Sequence, residues 1–289
     1  MEKLEWLQAE CSLFPQLDGT PFLPWKSLQE AVEEWRADDL YQWFWFVRKM
    51  PGLKLRFGGP DINAHLQALL AEWLHAAERS NAIRGFRFTV YEPEVHRFGG
   101  DAGMALTHSH FNSSAKLFLH YEARAETTAS ERLSFSLANT SDLLQRALAD
   151  EAEIWDVWQR LYAAVGENAI ETTETLPNFE ELSEQSPGLG DLIVSAQNAN
   201  AACADSLRAL VEGGVLTVGI RAWLTAVTTF EWNRFGLPDH PDALAAAIAT
   251  ILASNSPTPL VDSVKRALQF KTGVPLYSFS TMLWKFTYF

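Results

Sequence analysis

The chain has 289 residues, of which 47% are hydrophobic, and it contains 11 Trp and 18 Phe. This composition excludes an intrinsically disordered protein and provides for a substantial core, in one large domain or two closely packed ones. The net charge of −13 argues against broad binding of a nucleic-acid backbone, which needs a basic surface. No apolar run approaches the roughly 18 residues of a transmembrane helix.

The two cysteines and the first residues of the chain indicate where the protein works. Cys11 and Cys203 lie far apart and form no zinc or redox motif. Residues Met1–Trp6 lack the basic stretch and apolar region of a signal peptide. We therefore predict a cytoplasmic protein that binds neither membrane nor nucleic acid directly, with no metal and no cofactor.

The first half of the chain predicts helices and strands. An amphipathic helix is predicted for Glu2–Cys11 and a second helix for Ser27–Trp35. The aromatic run Tyr41–Val47 favours a strand buried on both faces, which we place at the centre of a sheet. A second strand, Leu53–Phe57, follows directly. After a helix over residues 62–79, Phe86–Glu92 is predicted as the third strand.

Charged and apolar side chains alternate along the second strand. Leu55 and Phe57 are expected on one face of the sheet, and Lys54 and Arg56 on the other. The strand therefore holds two cations side by side. Arg97 follows the end of the third strand, close to the glycine turn Gly99–Gly100.

The second half of the chain is predicted to be helical. Apolar spacing predicts helices over 102–121, 133–148, 154–165, 195–211, 221–232, 242–252 and 260–270. The polar stretch 167–190 is predicted to be a long surface loop, and the aromatic segment 274–289 is expected to dock on the body of the protein. The fold class is therefore α+β, with helices packed on a central sheet in a single domain, 1–289.

Motifs in a fixed order resemble one known family. Trp45–Arg48, Leu53–Phe57 and Tyr91–Gly100 are similar to the Phe-x-x-Arg, Leu-Arg-Leu-Arg-Phe and Tyr-x-x-Glu-x-x-Arg-Tyr-Gly-Gly motifs of the lantibiotic dehydratase C-terminal domain, also called the thiopeptide-type bacteriocin biosynthesis domain. The late segment Thr229–Gly236 fits the end of the family pattern His-Met-x-x-Asn-Arg. Two departures stand out: Thr229 occupies the histidine position, and Phe111–Ser114 lacks the family aspartate.

The resemblance implies a reaction and its partners. Family members with elimination activity act on a precursor peptide whose Ser or Thr carries a glutamate ester. They remove the α-proton and expel glutamate, leaving dehydroalanine or dehydrobutyrine. The expected partners are the precursor peptide and a separate glutamylating dehydratase component, since this chain is too short to contain that domain as well.

The resemblance also implies roles for individual residues. The catalytic set is Lys54, Arg56, Arg97 and Thr229, and we expect these residues to converge on one pocket. Cations there would hold the glutamyl carboxylates and stabilise the leaving group. The residues expected to bind substrate are Arg48, Glu94, His96, Asn233 and Arg234.

The identity of the general base stays open. Threonine is not a competent base without an activator, and the sequence offers several substitutes: His96, His108, His110, Glu94 and Glu231. His108 and His110 are two residues apart on a predicted helix and so point to different sides, which disfavours a zinc site.

Three functions therefore remain as hypotheses. The first is a glutamate-elimination lyase with a relocated base. The second is a pyridine-forming [4+2] aza-cycloaddition enzyme that joins two dehydroalanines, a reaction that depends chiefly on positioning. The third is a non-catalytic peptide-binding partner of a larger modification complex.

Overall fold

A four-stranded sheet and a group of helices make up the described part of the chain. The computed structural model describes residues 5–14, 24–49, 52–60, 62, 64–124, 127–165 and 179–254. The strands are β1 (Glu5–Leu13), β2 (Trp43–Lys49), β3 (Gly52–Gly59) and β4 (Ile83–Thr89). The helices are α1 (Trp25–Ala37), α2 (Ala64–Arg79), α3 (Gly100–Glu122), α4 (Ala129–Ala147), α5 (Glu151–Val165), α6 (Phe179–Gln185), α7 (Gly190–Glu212), α8 (Ile220–Phe235) and α9 (Pro241–Ser254). The predicted α+β class is confirmed.

The sheet has the strand order β2-β3-β1-β4, and every neighbouring pair is antiparallel. Strands β3 and β4 therefore run parallel to each other with β1 between them, and α2 connects them. The helix predicted over Glu2–Cys11 is wrong, because most of that segment forms the inner strand β1. Leu7, Ala9 and Cys11 are buried at a spacing of two, which is the period of a strand.

We predicted that the aromatic strand β2 lies at the centre of the sheet. It lies instead at one edge. Its side chains are nevertheless buried: Phe44, Trp45 and Phe46 are each at most 1% exposed. Helices α3 and α8 pack against this strand and cover it. An apolar run indicates that both faces of a strand are buried, but it does not indicate whether the strand has one neighbouring strand or two.

Two asparagine side chains pair with the open backbone edge of β2. Asn112 of α3 accepts a hydrogen bond from the Phe44 backbone N–H through Oδ1, at 3.0 Å. Asn233 of α8 accepts one from the Arg48 N–H at 2.7 Å and donates one to the Arg48 carbonyl at 3.0 Å. An amide group carries both a donor and an acceptor, so it substitutes for the missing neighbouring strand.

Strand register separates an apolar face of the sheet from a polar one. Phe57 is paired with Leu7 and Phe44, and all three are buried in the core. On the opposite face, Arg56 is paired with Gln8 and Trp45. Lys54 lies on this polar face as well, so the alternation predicted from the sequence is confirmed.

The helical half of the chain corrects one further prediction. Of the predicted surface loop 167–190, residues 179–185 and 187–190 are helical, with α6 followed by a short 3₁₀ turn and the start of α7. Phe179 and Leu182 are buried, and the Phe179 ring lies 5.8 Å from that of Phe135. Burial of these two apolar side chains therefore stabilises a helix in this otherwise polar stretch. Residues 166–178, the predicted helix 260–270 and the aromatic segment 274–289 lie outside the described residues.

The other helices predicted for this half are confirmed, with shifted ends. None of the described helices has the length and apolar character needed to cross a membrane.

Removing the Asn233 amide should destabilise the protein. Asn233→Ala leaves both backbone groups of Arg48 without their partners, and we expect a loss of about 2 kcal/mol in the free energy of unfolding. Asn112→Ala removes a single bond and should cost about 1 kcal/mol. Urea unfolding monitored by tryptophan fluorescence measures both. Asn198→Ala, at an exposed position of α7, is the matched control. An Asn233→Ala variant as stable as this control would contradict the edge-pairing role.

Candidate functional site

Arg56 is clamped between two aromatic rings on the polar face of the sheet. Its guanidinium carbon lies 4.2 Å from the centroid of the Trp45 ring and 4.3 Å from that of Tyr91. Its Nε donates a hydrogen bond to Gln8 Oε1 at 2.6 Å. Cation–π contacts on both sides together with one fixed hydrogen bond leave the guanidinium little freedom. Arg56 is therefore a pre-positioned, partly buried cation.

Arg97 joins the same group of rings from the turn after β4. Its guanidinium carbon lies 4.9 Å from the Phe230 ring centroid, and the Phe230 ring lies 6.5 Å from Trp45. Glu94 Oε2 accepts a hydrogen bond from Arg97 at 3.0 Å. We call Arg56, Arg97, Trp45, Tyr91 and Phe230 the arginine–aromatic cluster. The structure thus connects both predicted catalytic arginines through one set of rings.

A glycine pair shapes the turn that presents Arg97. Gly99 and Gly100 have φ angles of +85° and +89°, a conformation that other residues rarely adopt. The Gly99 carbonyl accepts a hydrogen bond from the Thr217 N–H at 3.0 Å, which ties the turn to the segment before α8. The turn therefore carries Arg97 toward Phe230 of that helix.

Lys54 lies on the same face as Arg56 but is paired within the protein. Its Nζ is 2.5 Å from Glu10 Oε1, and Arg87 contacts the other oxygen of Glu10 at 2.6 Å. A cavity of about 560 Å³ adjoins these groups and has Lys49 in its wall. Arg56 and Arg97 are outside its lining, so convergence of all three predicted cations on one pocket stays a prediction.

Thr229 lies on the late helix α8. Thr229 directly precedes Phe230 and is partly buried, and its hydroxyl donates a hydrogen bond to the Ala226 carbonyl at 2.7 Å. Arg234 is fully buried, with Nε donating to Ser114 Oγ at 3.2 Å. Ser114 belongs to the segment Phe111–Ser114, in which the aspartate of the family pattern is not reproduced.

Arg48 helps to join β2 to α8. Its Nε donates to the Arg234 carbonyl at 2.9 Å, and its guanidinium carbon lies over the ring of Trp25 at 5.4 Å. Gly236 has a φ of +73°, and a Cβ there would come within 3.3 Å of the Arg48 guanidinium carbon. Of the residues predicted to bind substrate, Arg48, Asn233 and Arg234 bind groups of the protein itself. The other two, Glu94 and His96, are exposed beside Arg97.

His108 of α3 lies beneath the arginine–aromatic cluster. Its Nε2 is 3.0 Å from the Tyr91 hydroxyl, and its ring centroid is 4.4 Å from that of Trp6. Burial, assisted by the nearby Arg56 charge, lowers the pKa of His108 to about 4. The imidazole is therefore neutral at neutral pH. His110, two residues further on, points away toward Glu231, as the helical spacing predicted.

Several members of the cluster were missed as site residues from the sequence. Trp45 and Phe230 lie within the Trp45–Arg48 and Thr229–Gly236 motifs, but neither was assigned a role in the site. Gln8, which binds Arg56 from outside the cluster, lies in no motif, and only the register of β1, β2 and β3 brings it and Trp45 together at Arg56. Tyr91 opens the Tyr91–Gly100 motif, so its position in that motif was the available signal.

Stability should depend on pH through His108. Its pKa is about 4 in the fold, against about 6.5 in an unfolded chain, so the unfolded state binds more protons between these values. The free energy of unfolding should therefore fall by about 3 kcal/mol as the pH drops from 6.5 to 4. His108→Gln should remove this part of the loss, and His65→Gln, at an exposed position of α2, should not. Urea unfolding across this pH range measures the difference, and equal slopes for the wild type and His108→Gln would refute a neutral His108.

Comparison with known proteins places the chain in a family. The model for the C-terminal region of lantibiotic biosynthesis dehydratases matches residues 20–265. The crystal structure of the tRNA-dependent lantibiotic dehydratase MibB from Microbispora sp. 107891 is similar, with a TM-score of 0.57 and 15% identity, over 91% of this chain and 28% of MibB. TsrL is 12% identical with a TM-score of 0.49, over 86% of this chain and 94% of TsrL.

The chain spans only 28% of MibB, and at this level of identity the likeness concerns the fold. No curated protein sequence matched the chain. The family match, however, covers most of the 289 residues and includes every motif on which the resemblance was based. The chain belongs to the lantibiotic biosynthesis dehydratase C-terminal family.

Proposed function

We propose that this protein is a maturation enzyme for a ribosomally made precursor peptide, and that it eliminates glutamate from glutamylated Ser or Thr. Family membership supports a role in the biosynthesis of modified peptides. The observation that carries the proposal is Arg56 clamped between Trp45 and Tyr91, with Arg97 on the Phe230 ring of the same cluster. A separate component would attach the glutamate.

The arginine–aromatic cluster suits a carboxylate-bearing leaving group. A guanidinium binds a carboxylate through two parallel hydrogen bonds, and the rings of Trp45 and Tyr91 hold Arg56 ready for such a partner. The Arg97 side chain is 37% exposed, so the cluster is open to solvent at this arginine. One arginine would hold the glutamyl group, and the other would stabilise the charge that develops on the departing oxygen.

The reaction balances without an oxidant, a reductant or water. A base takes the proton from the α-carbon of the esterified residue. The electron pair of that C–H bond becomes the second bond between Cα and Cβ. The Cβ–O bond breaks, and its electron pair leaves with the glutamate carboxylate. The products are a dehydroamino acid in the peptide and free glutamate.

His108 is the candidate base that the structure supports best. Glu94 is paired with Arg97, and His96 is exposed. His108 is neutral, and it contacts the Tyr91 hydroxyl beside Arg56. We propose that Tyr91 receives the α-proton while passing its own phenolic proton to His108 Nε2. The relay replaces the imidazole that family members have at the position of Thr229.

One observation favours the cycloaddition alternative. The pKa of about 4 makes His108 a weak proton acceptor, while Arg56 and Arg97 are hydrogen-bond donors held on aromatic rings. A [4+2] aza-cycloaddition between two dehydroalanines requires alignment and donors more than a strong base. The same cluster is compatible with this chemistry, so the experiment must distinguish the two reactions.

Elimination should depend strongly on Arg97. The purified chain would be incubated with a precursor peptide carrying glutamate esters, and mass spectrometry would follow the loss of glutamate. Arg97→Ala should slow this loss on the order of 100-fold or more, because a cation that stabilises developing charge is removed. Arg56→Lys should also slow it, since lysine keeps the charge but lacks the planar fork.

Arg87→Ala is the matched control, because Arg87 is 76% exposed and bound to Glu10 on the same face of the sheet. It should keep the parent rate. If no glutamate is released, but a peptide with two dehydroalanines is cyclised, the elimination proposal is wrong and the cycloaddition holds. If the peptide binds and neither reaction occurs, the protein is a non-catalytic partner.

A further inference from the structure

The two edges of the sheet differ in what covers them. At the β2 edge, Asn112 and Asn233 bind the outward backbone groups of Phe44 and Arg48. At the opposite edge, β4 is hydrogen-bonded to β1 on one side, and α2 packs against it. In the part of the chain that the structure describes, no fifth strand pairs with β4. The β4 edge is therefore open where the β2 edge is closed.

The register of the sheet identifies the backbone groups at this open edge. In an antiparallel sheet, the N–H and C=O groups of successive residues point to opposite sides of the strand. Phe44 points away from β3, and this alternation, carried across β3 and β1, leaves Phe86 and Phe88 pointing away from β1. Within the described residues, no hydrogen bond from another element reaches the backbone of either phenylalanine. These groups are available to an added strand.

Apolar side chains line the open edge. Phe86 and Phe88 are half-buried, with ring centroids 5.8 Å apart, and the Phe86 ring lies 4.9 Å from that of His75 on α2. Val90, directly after β4, is 82% exposed. Side chains on neighbouring strands lie about 4.5–5.5 Å apart, so apolar residues of an added strand would pack beside these rings.

A cation stands at the beginning of the same strand. Arg84 is exposed, and its guanidinium carbon lies 5.2 Å from the centroid of the Phe14 ring. Arg87 is bound to Glu10, whereas no carboxylate of the described residues pairs with Arg84. The chain as a whole has a net charge of −13, which makes a cation without such a partner uncommon. Charge complementarity therefore favours an added strand with a carboxylate near Arg84 and apolar side chains beside the two phenylalanines.

The open edge leads to the arginine–aromatic cluster. Tyr91, which lies against Arg56, comes two residues after the end of β4. Five positions separate Phe86 from Tyr91. At about 3.3 Å per residue this is roughly 16 Å of extended chain. A peptide paired with β4 would therefore reach the cluster within a few of its own residues.

We propose that the open edge of β4 docks the precursor peptide as an added strand and directs the residue to be modified to the arginine–aromatic cluster. The inference rests on the proposed function, because it takes the precursor peptide as the occupant. Backbone hydrogen bonds to Phe86 and Phe88 supply affinity, and Arg84 supplies the preference for an acidic segment.

A synthetic peptide tests the docking edge without any turnover. The probe is acetyl-Glu-Ser-Val-Thr-Val-Ser-Glu-amide, whose pattern is the same in both directions and so suits a parallel or an antiparallel strand. It should bind the intact chain and slow the hydrogen exchange of the Phe86 and Phe88 amides. The same peptide with Lys in place of both Glu should bind about tenfold more weakly. No binding, equal binding of the two peptides, or protection confined to other segments would overturn the proposal.

Variants of β4 separate docking from folding. Phe88→Pro removes an outward N–H that β1 does not use, so it should weaken binding about tenfold, and Phe88→Ala, which keeps the N–H, should weaken it less. If Phe88→Pro does not fold, Arg84→Glu decides: it should make the Lys peptide the tighter ligand. Arg87→Ala is the control and should leave affinity unchanged, since Arg87 is bound to Glu10. An unaltered preference in Arg84→Glu would refute the location.

Two further measurements distinguish this proposal from its alternatives. Sedimentation of the intact chain tests for a second copy at the edge: a dimer that Phe88→Pro dissociates would overturn docking of the precursor. Glutamate release is then compared between glutamylated peptides with and without the acidic, alternating segment. Equal efficiency at low concentration would refute docking and leave the reaction standing. Binding of the probe without release from either peptide would refute the reaction and leave the docking edge standing.

Discussion

The pairing of asparagine amides with the free edge of β2 is the constraint on which the rest of the structure depends. An unpaired strand edge is unstable and prone to association. Here Asn112 and Asn233 supply the donors and acceptors that a fifth strand would bring. The two residues belong to α3 and α8, so the same bonds that close the sheet also attach the helical half of the chain to it.

This attachment creates the arginine–aromatic cluster. Because α8 is held at the Arg48 end of β2, Phe230 lies beside Trp45, and Trp45 in turn lies under Arg56. The turn tied to Thr217 then brings Arg97 over Phe230. Two cations that are 41 positions apart in the chain thus rest on one set of rings. Their spacing follows from strand register and helix docking, and no direct contact between them is required.

The sequence was informative where side-chain pattern alone determines structure. Alternation along β3 correctly placed Lys54 and Arg56 on one face, and the ordered motifs identified the family. Prediction from the sequence failed where contacts between residues far apart in the chain determine the structure. The local pattern of Glu2–Cys11 predicted a helix, yet Glu5–Leu13 forms a strand because β3 and β4 flank it on both sides. The Asn139–Asn200 contact lies in the packing of α4 against α7, which no local motif encodes.

His108 and His110 show how one helix turn separates two environments. Both are buried, but His108 faces an aromatic cage and the positive charge of Arg56, which lower its pKa to about 4. His110 faces Glu231 and Cys203, which raise its pKa to about 10 although burial opposes this. At neutral pH one imidazole is a neutral acceptor and the other a charged donor. Identical side chains two residues apart therefore differ in charge at neutral pH, because different groups pack around each of them.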